Sequence, residues 1–134
     1  MYSGSPTHGA RVYQQVGAHG RVADADPAQL IELLLAGAIG RVAEARGHLE
    51  RGDIARKGEA LGRALAIVGE LNGSLDLGRG GDIAANLRSL YDYIGRRLTE
   101  ANLRNDGAAL EEVMGLLREI KSGWDAIGAE QPGT

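Results

Sequence analysis

Three histidines, two carboxylate pairs and one glycine-rich run are the places where this sequence could carry chemistry. His8, His19 and His48 are scattered along the chain. Metal sites in helical bundles use Glu-x-x-His pairs on facing helices, and no glutamate here stands three residues before a histidine. With no cysteine, thiolate metal ligation, disulfides and a cysteine nucleophile are excluded. Asp24–Asp26 and Glu111–Glu112 could pose as acid–base pairs, but helix capping and a solvated helix face account for them more simply. The run Leu77-Gly78-Arg79-Gly80-Gly81-Asp82 lacks the preceding strand and the Gly-Lys-Ser/Thr ending of a phosphate loop and reads as a flexible connection. Asn72-Gly73-Ser74 matches a glycosylation acceptor, yet no export signal precedes it. The expectation is therefore no cofactor, no metal and no enzyme.

The elements that hold these residues are marked by their ends. Asp26-Pro27 pairs an N-cap with proline at the first helical position, and Gln29 stands where a capping box needs it. Asp53, Asp82 and Asp106 follow Gly52, Gly81 and Asn105, so each reads as a cap placed after the stop of the preceding helix. Apolar residues then recur at steps of three and four. The first helix carries Ile31, Leu35, Ala38, Val42, Ala45 and Leu49; the second Ile54, Leu61, Leu65, Val68 and Leu75, with Asn72 interrupting. The third carries Ile83, Leu87, Leu90, Ile94 and Ala101, and the fourth Leu110, Val113, Leu117, Ile120, Trp124 and Ile127. That is a helical period, not the alternation of strands. Short connections between long helices make neighbours antiparallel. The predicted fold is all-α: an up-down four-helix bundle over residues 26–128.

Residues 1–25 fall outside the pattern and read as a mobile segment with a short extra helix between 10 and 19 as its one amphipathic hint, around Val12, Tyr13 and Val16. Residues 129–134 read as a disordered polar tail. The chain has 15 Lys and Arg against 18 Asp and Glu, which lacks the basic excess of a nucleic-acid module. No apolar run approaches the ~20 residues that span a bilayer, so membrane insertion is not expected and the cytoplasm is the expected location. Ten glycines lie inside the predicted helices, at 37, 40, 47, 58, 62, 69, 73, 95, 115 and 123. Each costs up to ~1 kcal/mol against alanine, which predicts a modest melting point, below ~80 °C.

The third helix is unusually specific. At 100° per residue its core line leaves Tyr91 about 80° to one side and Tyr93 about 80° to the other. Asn86, Arg97 and Glu100 share the edge of Tyr93, where Arg97 could bond Glu100 and stack on the ring. A rim of half-buried Tyr and Arg closing the bundle is one reading. The other is an amphipathic shelf, wider than one core requires, that accepts a further helix. A rival function rests on His48-Leu49-Glu50-Arg51-Gly52, which loosely resembles the His-x-x-Lys-Gly box of histidine phosphotransfer domains, themselves four-helix bundles. Here Arg replaces the Lys and His48 falls in a terminal turn. A helical adaptor or regulatory module is the broader alternative.

The chain resembles the FliS family of flagellin export chaperones. The shared pieces are Tyr13-Gln14-Gln15, Asp26-Pro27-Ala28-Gln29-Leu30, Gly37-Ala38-Ile39, Gly52-Asp53-Ile54, Leu71 to Leu75, the run Leu87 to Asn102 with Leu103-Arg104-Asn105-Asp106, and Trp124. The resemblance implies a cytoplasmic chaperone of type III export that holds the disordered C-terminal segment of flagellin and delivers it to the flagellar export gate. It implies client contacts at Tyr91, Tyr93, Arg97, Asn102, Asn86 and Leu98, and a self-cap made by Tyr13, Gln14 and Val16. Where the family commonly has Leu-Tyr-Asp/Asn-Gly, this chain has Leu34-Leu35-Ala36-Gly37. Gly40, Gly58, Gly62, Gly69 and Gly95 stand where bulkier residues are common, which implies a shallower groove.

Overall fold

The computed structural model describes residues 26–130, and all four of its elements are helices: α1 (Pro27–Glu50), α2 (Ile54–Gly73), α3 (Leu77–Arg104) and α4 (Gly107–Glu130). Residues 1–25, with the segment 10–19, and residues 131–134 lie outside the described part. Each helix packs on its two neighbours around a ring, α1 on α2 and α4, α3 on α2 and α4. Connections at 51–53, 74–76 and 105–106 are too short for anything but antiparallel neighbours. The predicted bundle is the observed one.

Three of the four caps form as expected. Asp26 accepts from Gln29 N at 2.8 Å while Gln29 Oε1 accepts from Asp26 N at 3.2 Å, a complete capping box. Asp53 and Asp106 accept from Arg56 N at 3.1 Å and Ala109 N at 3.2 Å. The left-handed backbone at Gly52 (φ 78°) and Asn105 (φ 53°) ends α1 and α3. The third start is corrected. Asp76, not Asp82, caps α3, accepting from Arg79 N at 3.0 Å, and the supposed flexible connection 77–80 is a helical turn. Gly81, at φ 55° and ψ −133°, breaks the helix behind that turn. A glycine with positive φ looks the same in sequence whether it stops a helix or interrupts one.

The core is made by Leu35, Val42, Leu61, Leu71, Ile94, Leu98, Leu110, Val113 and Leu117 with smaller neighbours. Three expected core positions move outward, the first being Ile54, 48% exposed at the start of α2. Ile83 is 74% exposed, because it sits two residues after the Gly81 break. Leu75 lies beyond the end of α2, half-buried in the connection, and the inward face of α2 turns to Lys57, Ala60, Leu61, Ala64, Val68 and Leu71. Lys57 is 2% exposed. Its Nζ donates to Asn102 O at 2.8 Å and Asn105 Oδ1 at 2.5 Å, satisfying a carbonyl that the C-terminus of α3 leaves open. The helix α4 runs to Glu130, past the start of the expected tail.

Candidate partner-binding site

At the end where α1 and α3 begin and α2 and α4 finish, a cavity of about 810 Å³ opens to the surface. The capping box and Pro27 start α1 at its edge, so that Leu30, Ile31 and Leu34 form one wall at helical spacing. Leu87 and Tyr91 of α3 and Trp124 of α4 supply the others, and exposed Ile83 stands beside them. Glu70, Asp76 and Arg79 give the rim its charge. Large apolar groups rimmed by polar ones mark interaction surfaces or ligand-binding grooves.

A second, shallower cavity of about 740 Å³ follows the α2–α3 groove. Its walls include Leu65, Val68 and Gly69 on one side and Tyr91, Tyr93 and Gly95 on the other. Tyr91 therefore lines both cavities. It is 2% exposed, and burial pushes its phenol up to about 12. Across the groove Asn72 Nδ2 donates to Asp92 Oδ1 at 2.8 Å.

Beside this groove a polar clasp joins α3 to α4. Tyr93 Oη donates to Glu112 Oε2 at 2.5 Å, and Arg97 Nε donates to Glu112 Oε1 at 2.8 Å while its Nη1 reaches Glu100 at 2.9 Å. The Tyr93 hydroxyl first, then Arg97, holds the Glu112 carboxyl below its ordinary value, and the same bond raises the Tyr93 phenol. The expected Arg97–Glu100 pair is present. The cation over the Tyr93 ring is Arg96, 5.8 Å from its centroid, in place of Arg97.

The structure thus brings Tyr91, Tyr93 and Arg97 to one groove. Asn86 is exposed and lines neither cavity. Asn102 lies farther along α3, half-buried, its carbonyl taken by Lys57. Leu98 is fully buried in the core, since it continues the inward line Tyr91, Ile94, Leu98, Ala101; as a surface contact it is corrected. Tyr13, Gln14 and Val16 lie outside the described residues. Sequence reasoning missed Glu112 and Lys57. Lys57 was signalled by standing one turn before Leu61 on the same face; Glu112 gave no signal, because its partners are 15 and 19 residues away on another helix. His48 sits in the last turn of α1 with Nδ1 3.1 Å from Arg51 Nη2, not in the mid-helix place of a phosphotransfer histidine. Among the described residues no cluster of His, Cys, Asp or Glu could hold a metal ion, and no helix is long and apolar enough to cross a membrane.

The described residues thus define the class of antiparallel four-helix bundles, with apolar clefts left open between and at the end of the helices. Comparison with known proteins gives that class a family. The profile of the family described as "Flagellar protein FliS" matches residues 9–131, and the chain belongs to this family. It is 50% identical over 115 residues to the flagellar secretion chaperone FliSB of Pseudomonas aeruginosa, covering 86% of this chain and 91% of that protein. It is 48% identical over 128 residues to the flagellar secretion chaperone FliS of Salmonella typhimurium, covering 95% and 93%. The corresponding chaperone of Bacillus subtilis is 35% identical over 108 residues, 80% of each chain.

Proposed function

We propose that this protein is a flagellar export chaperone that binds the disordered C-terminal segment of flagellin, keeps it from polymerising early and helps deliver it to the flagellar export gate. The observation that carries this reading is the end cavity, whose Leu30, Ile31, Leu87 and Trp124 the four-helix core leaves only partly covered, with exposed Ile83 beside them. An unassembled flagellin end is a set of amphipathic segments whose apolar faces need cover, and a helix-in-groove host supplies it without chemistry or nucleotide. Ordering the client consumes several kcal/mol of the gross contact energy, which keeps the complex releasable. The cytoplasm is where such a client waits. Pro27 lines the cavity, so the chain preceding it joins the bundle at that edge. This supports a self-cap in which Tyr13, Gln14 and Val16 cover the apolar surface until flagellin displaces them.

Calorimetry with the C-terminal ~40 residues of flagellin from the same organism tests this, a length that allows two or three helices. One-to-one binding, a negative heat-capacity change and a gain of peptide helicity are expected. Removing Met1 to Gly20 changes the affinity if the self-cap competes; an unchanged affinity removes that part. A client that gives no heat and no helicity overturns the chaperone reading.

A further inference from the structure

Two adjacent glycines at the start of α3 answer different demands. A Cβ at Gly80 would stand 2.5 Å from the Ala84 methyl group, so the turn 76–80 lies down on the first buried residue of α3 only with glycine there. Gly81, behind it, holds φ 55° and ψ −133°, a backbone state closed to residues with a Cβ, and the helix breaks at that point. One glycine lets the turn close; the next lets it pivot.

The turn is bonded well to itself and loosely to the bundle. Asp76 Oδ1 accepts from Arg79 N at 3.0 Å, Asp76 O accepts from Gly80 N at 2.7 Å, and the Arg79 guanidinium turns back to the Asp76 carboxylate. Among the described residues no hydrogen bond or ion pair runs from 76–80 to another helix. Residues 76–83 are all exposed. Segments with so few buried contacts are the ones that open locally. The turn also stands between two openings. Leu75, Asp76, Arg79 and Gly80 line the end cavity. Leu75 and Leu77 line a smaller hollow of about 410 Å³ on the other side, which shares Gly69 and Asn72 with the α2–α3 groove.

We infer that 76–80 is a hinged partition: a preformed turn that swings on its two attachments, Leu75 and Gly81, and so joins the end cavity to the α2–α3 groove as one continuous trough. Because both ends stay attached, the turn moves like a handle and leaves α2 and α3 in place. Its use rests on the chaperone reading above: a client segment running from one opening into the other waits for the turn to lift, so the hinge sets the rate of admission.

The chain has no cysteine, so introduced pairs carry nitroxide labels without background. Pulsed electron-electron double resonance between Arg79→Cys and Arg118→Cys follows the turn against α4, and Ser89→Cys with Arg118→Cys follows the body of α3; all three positions are exposed. Gly80→Ala, which drives a methyl group into Ala84, is expected to shift the first distance distribution and leave the second as it was. Gly78→Ala, where a Cβ meets only Asp76 Oδ1 at an ordinary 3.6 Å, is expected to shift neither. Adding Ala84→Gly to Gly80→Ala removes the collision and is expected to restore the original distribution, which separates a lifted turn from a misfolded chain. Stopped-flow mixing with the ~40-residue flagellin segment is followed by Trp124, the single tryptophan, in the cavity wall. Gly80→Ala is expected to associate about fivefold faster, the low end of what one overpacked methyl group does to a closed state. If Gly80→Ala leaves the 79–118 distribution unmoved, the turn is not hinged and the inference is overturned, whatever the client does. Both distributions moving together would mean that α3 shifts as a whole, which also overturns it. If the turn moves and the association rate does not, control of admission is overturned while the chaperone reading stands. If the unaltered chain does not bind the segment, the chaperone reading fails, and the labels alone decide the hinge.

Discussion

Glu112 carries two roles that a solvated carboxylate would not. It accepts the Tyr93 hydroxyl and the Arg97 guanidinium at once, so the aromatic and basic edge of α3 is spoken for by α4 as well as open to the groove. Two pH limbs follow. Glu112 titrates below its ordinary value of 4.5, so the clasp contributes fully above that value and fades as pH falls through the lower folded one. Tyr93 titrates above its ordinary 10.0, so its share is intact below that value and fades as pH rises through the higher folded one. Melting temperature followed by circular dichroism against pH should fall on the acid side for the unaltered chain, and Glu112→Gln should flatten that acid limb. A Gln variant with the same acid slope would show that other carboxylates set it. From sequence, the edge composition of Tyr93, Arg97 and Glu100 was legible because all three share one helix. Glu112 was not, since spacing along a helix says nothing about which carboxylate a neighbouring helix brings across. The burial of Leu98 escaped for a related reason: resemblance names positions, and only the helix phase says which way they point.

Helix α3 is the element on which the sequence reading fared least evenly. Its long body, from Leu87 to Arg104, follows the apolar period and ends at Asn105 as the stop rule requires. Its beginning does not, because Asp76 opens a single turn before Gly81 interrupts it. The combination φ 55°, ψ −133° is closed to residues with a Cβ. Gly81→Ala is therefore expected to cost about 1–3 kcal/mol, read as a lower urea midpoint. Substitution at a helix-interior glycine that meets nothing, such as Gly62, is expected to act in the opposite sense. Equal effects at the two positions would mean that the break is not held in the folded state. The helices themselves and three of their four caps were legible because capping is local. The fate of Ile83 and Leu75 was not, because each depends on where a helix actually stops.

Across the whole molecule the two ends are built differently. One end has the cavity lined by Leu30, Leu34, Leu87 and Trp124. The other has Lys57, reaching from the first turn of α2 to the last residues of α3. Lys57→Met keeps the volume but leaves Asn102 O and Asn105 Oδ1 without their donor; about 1–3 kcal/mol of destabilisation is expected, with the urea slope unchanged. A midpoint within experimental error of the unaltered chain would mean that the buried amine contributes no net stability. The same two bonds have a mechanical meaning. The chain itself ties α2 to α3 at the cavity end through 74–76, and the lysine bonds tie the same pair at the opposite end. Any spreading of these two helices is then a bowing between two knots, greatest at mid-length and smallest at either tip.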